Sequence, residues 1–146
     1  MAVSAQKTRQ VNLLRRSDLR WLQADDAWIL PAGARQVMIL MPAAEDTWDV
    51  WRAVDGERPV LESGQPLTLD WAQGVGEEIA RAQGGVLSQA KAGWRDKEPT
   101  GPQVSTLQRL GYGDRLAGLT RGKAADLMTV HFAARDIRKL RKAAGR

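Results

Sequence analysis

Short apolar runs separated by turn residues fill the first half of the chain and predict a small β-sheet. Trp28-Ile29-Leu30 and the run from Gln36 to Met41 have strand length, and a proline follows each of them. From Thr47 to Val54, successive residues alternate in character, as expected when they lie in turn on the two faces of a strand. Asp55-Gly56 predicts a turn into a fourth short strand, Arg58 to Leu61. The pattern therefore predicts an antiparallel β-meander.

Helical spacing replaces this pattern after Thr68, which is a suitable N-cap residue. The helix that follows is predicted to end at Gly84-Gly85. Its buried stripe is predicted from apolar residues that stand four positions apart, namely Trp71, Val75 and Ile79. A shorter helical turn, capped by Ser17, is predicted ahead of the strands and runs to Gln23.

Two more helices are predicted in the last third of the chain. Thr100-Gly101-Pro102-Gln103 has the spacing of a capping box, and Gly111 suits the position just after the end of that helix. Thr120 is the predicted N-cap of the next helix, whose buried side would hold Ala124, Leu127, Met128 and Phe132. A charged continuation follows from Arg135 to Lys142, in which Ile137 and Leu140 are the apolar positions.

These elements predict an α+β fold, in which a small antiparallel β-meander with a packed helix is followed by a C-terminal helical hairpin with a basic extension. The charged, proline-terminated stretch before Thr100 predicts an internal boundary. We therefore expect a flexible basic N-terminus at residues 1–16, an α+β subdomain at 17–94, a linker at 95–99, and the hairpin with its basic C-terminal helix at 100–146.

The net charge of +5 hides an uneven distribution along the chain. Residues 1–20 carry five basic side chains and one acidic side chain, and residues 121–146 carry eight basic and two acidic ones. The body between them carries nine basic and fourteen acidic side chains. Basic ends predict contact with phosphates or with an acidic protein surface, although a solvated helix face would have the same composition. The candidate phosphate contacts are Arg121, Lys123, Arg135, Arg138, Lys139, Arg141 and Lys142.

Composition argues against several classes of site. The chain has no cysteine and a single histidine, His131, so thiolate and histidine-rich metal sites are excluded. The stretch from Gly118 to Ala124 has three residues between its glycines and an alanine after the lysine, so it does not match a phosphate-binding P-loop. We expect no catalysis, no cofactor, no metal and no small-molecule substrate. No apolar run reaches membrane-spanning length and no secretory signal is recognised, so we expect a cytoplasmic location.

The last third of the chain resembles the helical tail of bacterial and phage superfamily II helicases of the DEAD/DEAH type, including RadD-like repair helicases. Such tails have the pattern P-T-x-x-Q-x-x-x-L-x-x-L-G and, after a variable connection, L-T-(K/R)-G-x-A-x-D-L. The matching residues here are Pro99, Thr100, Gln103, Leu107, Leu110 and Gly111, then Leu119, Thr120, Arg121, Gly122, Ala124, Asp126 and Leu127. The motor motifs of these helicases are absent from the 146 residues.

The resemblance implies a C-terminal accessory region without its ATPase motor. We therefore expect a non-catalytic nucleic-acid-binding module of a DNA repair or processing helicase, with DNA backbone contacts made by the basic residues. A helicase motor or a repair protein is the expected protein partner. The alternative is a protein-interaction module that docks on a helicase or repair factor through its acidic, β-rich body.

Overall fold

An antiparallel sheet of five strands lies between two long helices in the computed structural model, which describes residues 17–33, 35–84 and 93–144. The strands follow one another in chain order as β1 (Leu22–Ala24), β2 (Ala27–Pro31), β3 (Gln36–Pro42), β4 (Trp48–Val54) and β5 (Val60–Leu61). The helices are α1 (Leu69–Gly84), α2 (Gly101–Arg109) and α3 (Arg121–Ala143), with short 3₁₀ turns at Gly93–Asp96 and Gly113–Arg115. The predicted α+β fold and its meander are confirmed.

The predicted helical turn at Ser17 to Gln23 is wrong. Its last two residues belong to β1, which pairs with β2 so that Ala24 lies opposite Ala27. The connection is the two-residue turn Asp25-Asp26, in which Asp25 has a φ of 62°. Aspartate tolerates this left-handed conformation better than most residues. The turn therefore allows a hairpin, and pairing with β2 outweighs the weak local preference for a helix.

One face of the sheet is covered by α1. The core on this side contains three tryptophans, Trp21, Trp28 and Trp48, together with Leu40 and Val50. The helix adds Leu69, Ala72 and Ala80, with Val75 and Ile79 partly buried. Such a core combines large aromatic side chains from the sheet with small residues on the helix.

The predicted buried position of Trp71 is wrong, because its side chain is 69% exposed. The helix is rotated so that its small residues face the sheet. A Cβ atom added at Gly76 would lie 3.0 Å from Cη2 of Trp21. The large ring of Trp21 therefore requires a close approach of the helix backbone, and this approach turns Trp71 outward.

The opposite face of the sheet is covered by α3. Ile29, Ile39 and Met41 of the sheet form a second core with Ala133, Ile137 and Leu140 of the helix. The C-terminal half of α3, predicted as a charged extension, thus buries its two aliphatic residues. Phe132, predicted on the buried side, is 46% exposed and is a second wrong assignment.

The helix ends in the last third follow the predicted capping chemistry. The Thr100 side chain accepts from the backbone N–H of Gln103, whose own side chain accepts from the N–H of Thr100, so the capping box is confirmed. Gly111 has a φ of 93° where α2 ends. The Thr120 hydroxyl accepts from the N–H of Lys123 at the start of α3.

The division of the chain at residues 95–99 stays a prediction. The expected flexible segment at 1–16 lies outside the described residues. Across the proposed boundary, the structure places α3 against β1, β2 and β3. No helix in the described ranges is long and apolar enough to cross a membrane.

Candidate functional site

Three basic side chains form a patch on the outer surface of α3. Arg138, Lys139 and Lys142 are exposed, and we call them the α3 basic patch. Helical periodicity places them on the side opposite Ile137 and Leu140, which are buried against the sheet. None of the three makes an ion pair within the described part of the chain. Their charges are therefore available to an acidic ligand.

Arg135 lies one turn before Arg138 and extends the patch. Its guanidinium is 3.5 Å from the carboxylate of Asp55, in the turn after β4. Both side chains are more than half exposed, at 54% and 56%. An exposed pair of this kind contributes little to stability, so Arg135 can exchange Asp55 for another anion at small cost.

Arg141 has a different environment from its neighbours. Its side chain is 23% exposed and lies 2.8 Å from the carboxylate of Asp25, and it also pairs with Asp26. The hydrogen bond that its guanidinium donates to the Asp25 carboxylate raises the pKa of Arg141 above its ordinary value. The two carboxylates belong to the turn between β1 and β2. Arg141 therefore joins that turn to α3, and its charge is already compensated.

Arg121 and Lys123 lie at the other end of α3. The helix rises 1.5 Å per residue, so Arg121 is about 21 Å along the axis from Arg135. The Arg121 guanidinium donates to the backbone carbonyl of Glu98 at 3.0 Å, whereas Lys123 is exposed. The seven predicted contacts thus fall into two groups at opposite ends of one helix.

Residues of the second helicase-like motif hold α3 to its surroundings. Asp126 accepts from Arg95 at 2.7 Å and pairs with Arg20 at 3.1 Å. A Cβ atom added at Gly122 would lie 2.7 Å from the Cβ of Arg95. The glycine thus leaves room for Arg95, while Asp126 neutralises two basic residues. The motif positions therefore have structural roles in this chain.

A cavity of about 430 Å³ lies beside α3, near the start of β3 and the turn Gly93–Asp96. Its lining includes Gln36, Val37, Trp94, Met128 and Phe132. Two polar atoms of these residues, Oε1 of Gln36 and Nε1 of Trp94, are buried and have no hydrogen-bond partner in the part of the chain that the structure describes. Burial raises the pKa of the Asp136 carboxyl, which also lines the cavity.

His131 belongs to an aromatic group with Tyr112 and Phe132. Its Nδ1 lies 3.2 Å from the hydroxyl of Tyr112, and its ring makes edge contacts with Tyr112 and Phe132. In the ranges that the structure describes, no cluster of three or more His, Asp or Glu side chains could hold a metal ion.

Sequence reasoning found the α3 basic patch but missed the cavity. The patch follows from helical periodicity, which is local. Gln36, Trp94 and Phe132 lie far apart in the sequence, and their common lining depends on how α3 packs on the sheet. A tryptophan beside the charged stretch before Thr100 was the local feature that could have drawn attention to this place.

Comparison with known proteins finds one family. A family model described as the C-terminal domain of the mitochondrial helicase Irc3 matches residues 3–146. No curated protein matches the chain. No solved structure matches it either.

Proposed function

This chain belongs to the family of the C-terminal domain of mitochondrial helicase Irc3, and on that premise we propose that it is a non-catalytic accessory module that binds the phosphate backbone of DNA for a helicase. The α3 basic patch is the observation that carries the proposal. Lysine and arginine side chains that release counterions from phosphates supply most of the sequence-independent affinity for nucleic acid.

The geometry of α3 supports backbone contact over base readout by this patch. Ile137 and Leu140 fix the helix to the sheet, so its basic side is held at the surface. Arg135, Arg138, Lys139 and Lys142 cover two turns of that side. Long cations spread along an exposed helix suit a line of phosphates, whereas base readout requires the side chains to reach base edges within a groove.

ATP hydrolysis and unwinding would belong to a helicase motor elsewhere, in a parent chain or a partner. The expected partners are therefore DNA and such a motor. We also propose that, within this family, the chain is related to the RadD-like helicases of bacteria and phages. We also propose a cytoplasmic location. The family description names a mitochondrial helicase, so the mitochondrion is the alternative compartment.

Salt-titrated binding to single- and double-stranded DNA tests the proposal. With about four phosphates neutralised, log Kd against log salt should change with a slope of magnitude about 3 to 4. The triple variant Arg138→Gln, Lys139→Gln, Lys142→Gln should weaken binding at least tenfold at low salt and reduce that slope by about 2 to 3.

A matched control separates the patch from the net charge. Arg58, Arg109 and Arg115 are exposed on other elements, and replacing all three by glutamine removes the same charge. This control should bind DNA nearly as the parent chain does. Equal losses in the two triple variants would contradict the patch, and undetectable binding of the parent chain at low salt would contradict the function.

Exposed apolar side chains favour a second candidate, a protein-interaction module. Trp71 of α1 is 69% exposed, and Val60 and Leu61 of the edge strand β5 are nearly half exposed. Exposed edges and large apolar side chains are common at protein interfaces. Calorimetric titration with a purified helicase motor, using the parent chain and Trp71→Ala, tests this candidate. Loss of the heat of association in the variant would support docking through this side.

A further inference from the structure

The cavity beside α3 has the size and form of a site for one small ring system. Pockets for small ligands range from about 300 to 1,000 Å³, and this one, at about 430 Å³, lies near the lower limit. Its walls combine apolar side chains such as Val37 and Met128 with a few polar groups. A flat ligand with a polar edge matches this combination.

The two buried polar atoms are complementary to such an edge. Nε1 of Trp94 is a donor, Oε1 of Gln36 is an acceptor, and neither has a partner among the described residues. An unpaired buried polar group costs free energy, so a ligand that pairs with both is favoured. Gln36 is the first residue of β3 and Trp94 lies in a short turn. Both residues line the cavity, so their polar atoms lie at its wall.

Phe132 supplies a surface on which a ring can stack. Its side chain lines the cavity and is 46% exposed, which places it at the open side. His131 packs edge-on against it with the ring centroids 5.6 Å apart, and Tyr112 packs against His131 in turn. These contacts orient the phenyl ring, and an oriented ring loses less entropy when a base stacks on it.

The charges around the cavity favour a neutral ring over a phosphate group as its ligand. Three basic and three acidic side chains line it: Arg35, Arg95, Arg135, Asp55, Asp126 and Asp136. Arg95 pairs with Asp126 and Arg135 with Asp55. Arg135 also adjoins the α3 basic patch, so a strand held by its phosphates on the patch lies close to the cavity.

We propose that this cavity binds a single unstacked nucleobase. The inference rests on the proposed function and names the part of the ligand that the cavity recognises. The phosphates of a single strand contact the α3 basic patch, and one base turns into the cavity against Phe132. The polar edge of the base accepts from Trp94 and donates to Gln36, as single-stranded bases do in proteins that stack and hydrogen-bond them.

Strands with and without bases test the proposal with the full chain. A mixed-sequence single strand of twelve nucleotides should bind about tenfold more tightly than a fully abasic strand of the same length. Phe132→Ala should reduce this ratio to less than about twofold. The exposed-aromatic control Trp71→Ala should keep the ratio, and the triple α3 basic patch variant should weaken both strands alike.

Each result distinguishes the two proposals. Equal binding of the two strands by the parent chain overturns the base site and leaves the proposed function standing. An unchanged ratio in Phe132→Ala also overturns the base site, because the base then stacks elsewhere. Failure of both strands to bind at low salt overturns the proposed function and the base site together.

Titration with nucleosides distinguishes binding of a base within a strand from binding of a free nucleoside. In nitrogen–proton correlation spectra, the indole signal assigned to Trp94 should shift with a nucleoside mixture and not with ribose. Gln36→Met should abolish this shift without lowering the free energy of unfolding, since it removes a buried unpaired oxygen. Nucleoside shifts combined with equal strand binding would assign the cavity to free nucleosides and overturn the strand proposal. A Trp94 signal that responds to no nucleoside overturns the base site.

Discussion

The two faces of the sheet are packed in different ways. On the α1 side, Trp21, Trp28 and Trp48 fill the space beneath a helix of small residues. The polar edge of Trp21 is satisfied there, because its Nε1 donates to Glu77 at 2.8 Å. On the α3 side, Ile29 and Ile39 meet a helix that contributes an alanine, an isoleucine and a leucine to the core. A cavity lies beside that helix, with a tryptophan nitrogen that has no partner among the residues that the structure describes.

This difference separates structural from functional roles. On the α1 side, the buried polar atoms in the described segments are paired, as a core that only stabilises the fold requires. The α3 side has a cavity, a row of cations and a carboxyl whose pKa is raised by burial. Imperfect packing and uncompensated charge lower stability, so their joint occurrence on one side points to a binding role.

The largest effect is expected from the α1 side. Trp28→Ala should lower the free energy of unfolding by about 4 kcal/mol, because it empties a large volume in a closely packed core. Trp71→Ala is the matched control, with the same chemical change at an exposed site, and should cost less than about 0.5 kcal/mol. Urea unfolding followed by circular dichroism measures both. Similar losses of unfolding free energy in the two variants would show that Trp28 does not lie in a closely packed core.

Ile137→Ala should be the next largest change, with a loss of about 3 kcal/mol. The residue is 2% exposed and packs on the sheet under the α3 basic patch. Its neighbour Arg138 points outward, so Arg138→Ala should change the unfolding free energy by less than about 0.5 kcal/mol. A cost below 1 kcal/mol for Ile137→Ala would show that the C-terminal half of α3 is a loosely attached extension.

Glu77→Ala removes a carboxylate that accepts three hydrogen bonds on the α1 side, which we call the polar anchor. The variant should lower the free energy of unfolding by about 2 kcal/mol. The carboxylate accepts from Ser17 at 2.6 Å, from Trp21 at 2.8 Å and from Gln73 at 3.1 Å. Removing it leaves the buried Trp21 nitrogen without an acceptor. The adjacent exposed residue provides the control Glu78→Ala. Equal melting curves for the two variants would show that the anchor contributes nothing.

The smallest effect concerns pH and the α3 side. Burial raises the pKa of Asp136, so its ionised form is disfavoured in the folded state. The resulting cost is present above the folded pKa and disappears below the ordinary value of 3.8. Asp136→Asn should therefore raise stability at pH 7 by a few tenths of a kcal/mol and leave it unchanged at pH 3. A stabilisation that persists at pH 3, or one also seen in the exposed control Glu57→Gln, would contradict this origin.

Local chemistry explains which elements could be predicted. The capping box at Thr100 and Gln103, the cap at Thr120 and the turn at Gly111 each depend on a few neighbouring residues. Strand β4 was predicted from its alternation, and Trp48 and Val50 indeed face α1 while Ala53 faces α3. Helical periodicity likewise predicted that Arg138, Lys139 and Lys142 share one side of a helix.

Errors arose where size was taken as a guide to burial. Trp71 and Phe132 were assigned to buried stripes because they are large and apolar, yet both are exposed. The structure buries Ala72, Ala80 and Ala133 instead. These residues permit close approach to a sheet that already carries bulky side chains. Helical period was therefore predicted correctly, whereas the side of the helix that faces the core depends on its partner.

The sequence patterns did not lead to the prediction that helices cover both faces of the sheet, although the sequence contains a sign of this packing. Met38, Ile39, Leu40 and Met41 are all buried, and so are the four residues from Ala27 to Leu30. A continuous apolar run is typical of a strand with no solvated face. Other features have no local sign. Arg141 pairs with Asp25, which is 116 positions away in sequence, and the cavity joins residues of three strands, two helices and the turn Gly93–Asp96.

The contacts of residues 17–20 have a mechanical consequence. Ser17 donates to Glu77 of α1, and Arg20 pairs with Asp126 of α3. Four consecutive residues are thus connected to the layers on opposite sides of the sheet. Tension applied to the backbone ahead of Ser17 would be transmitted to both helices at once.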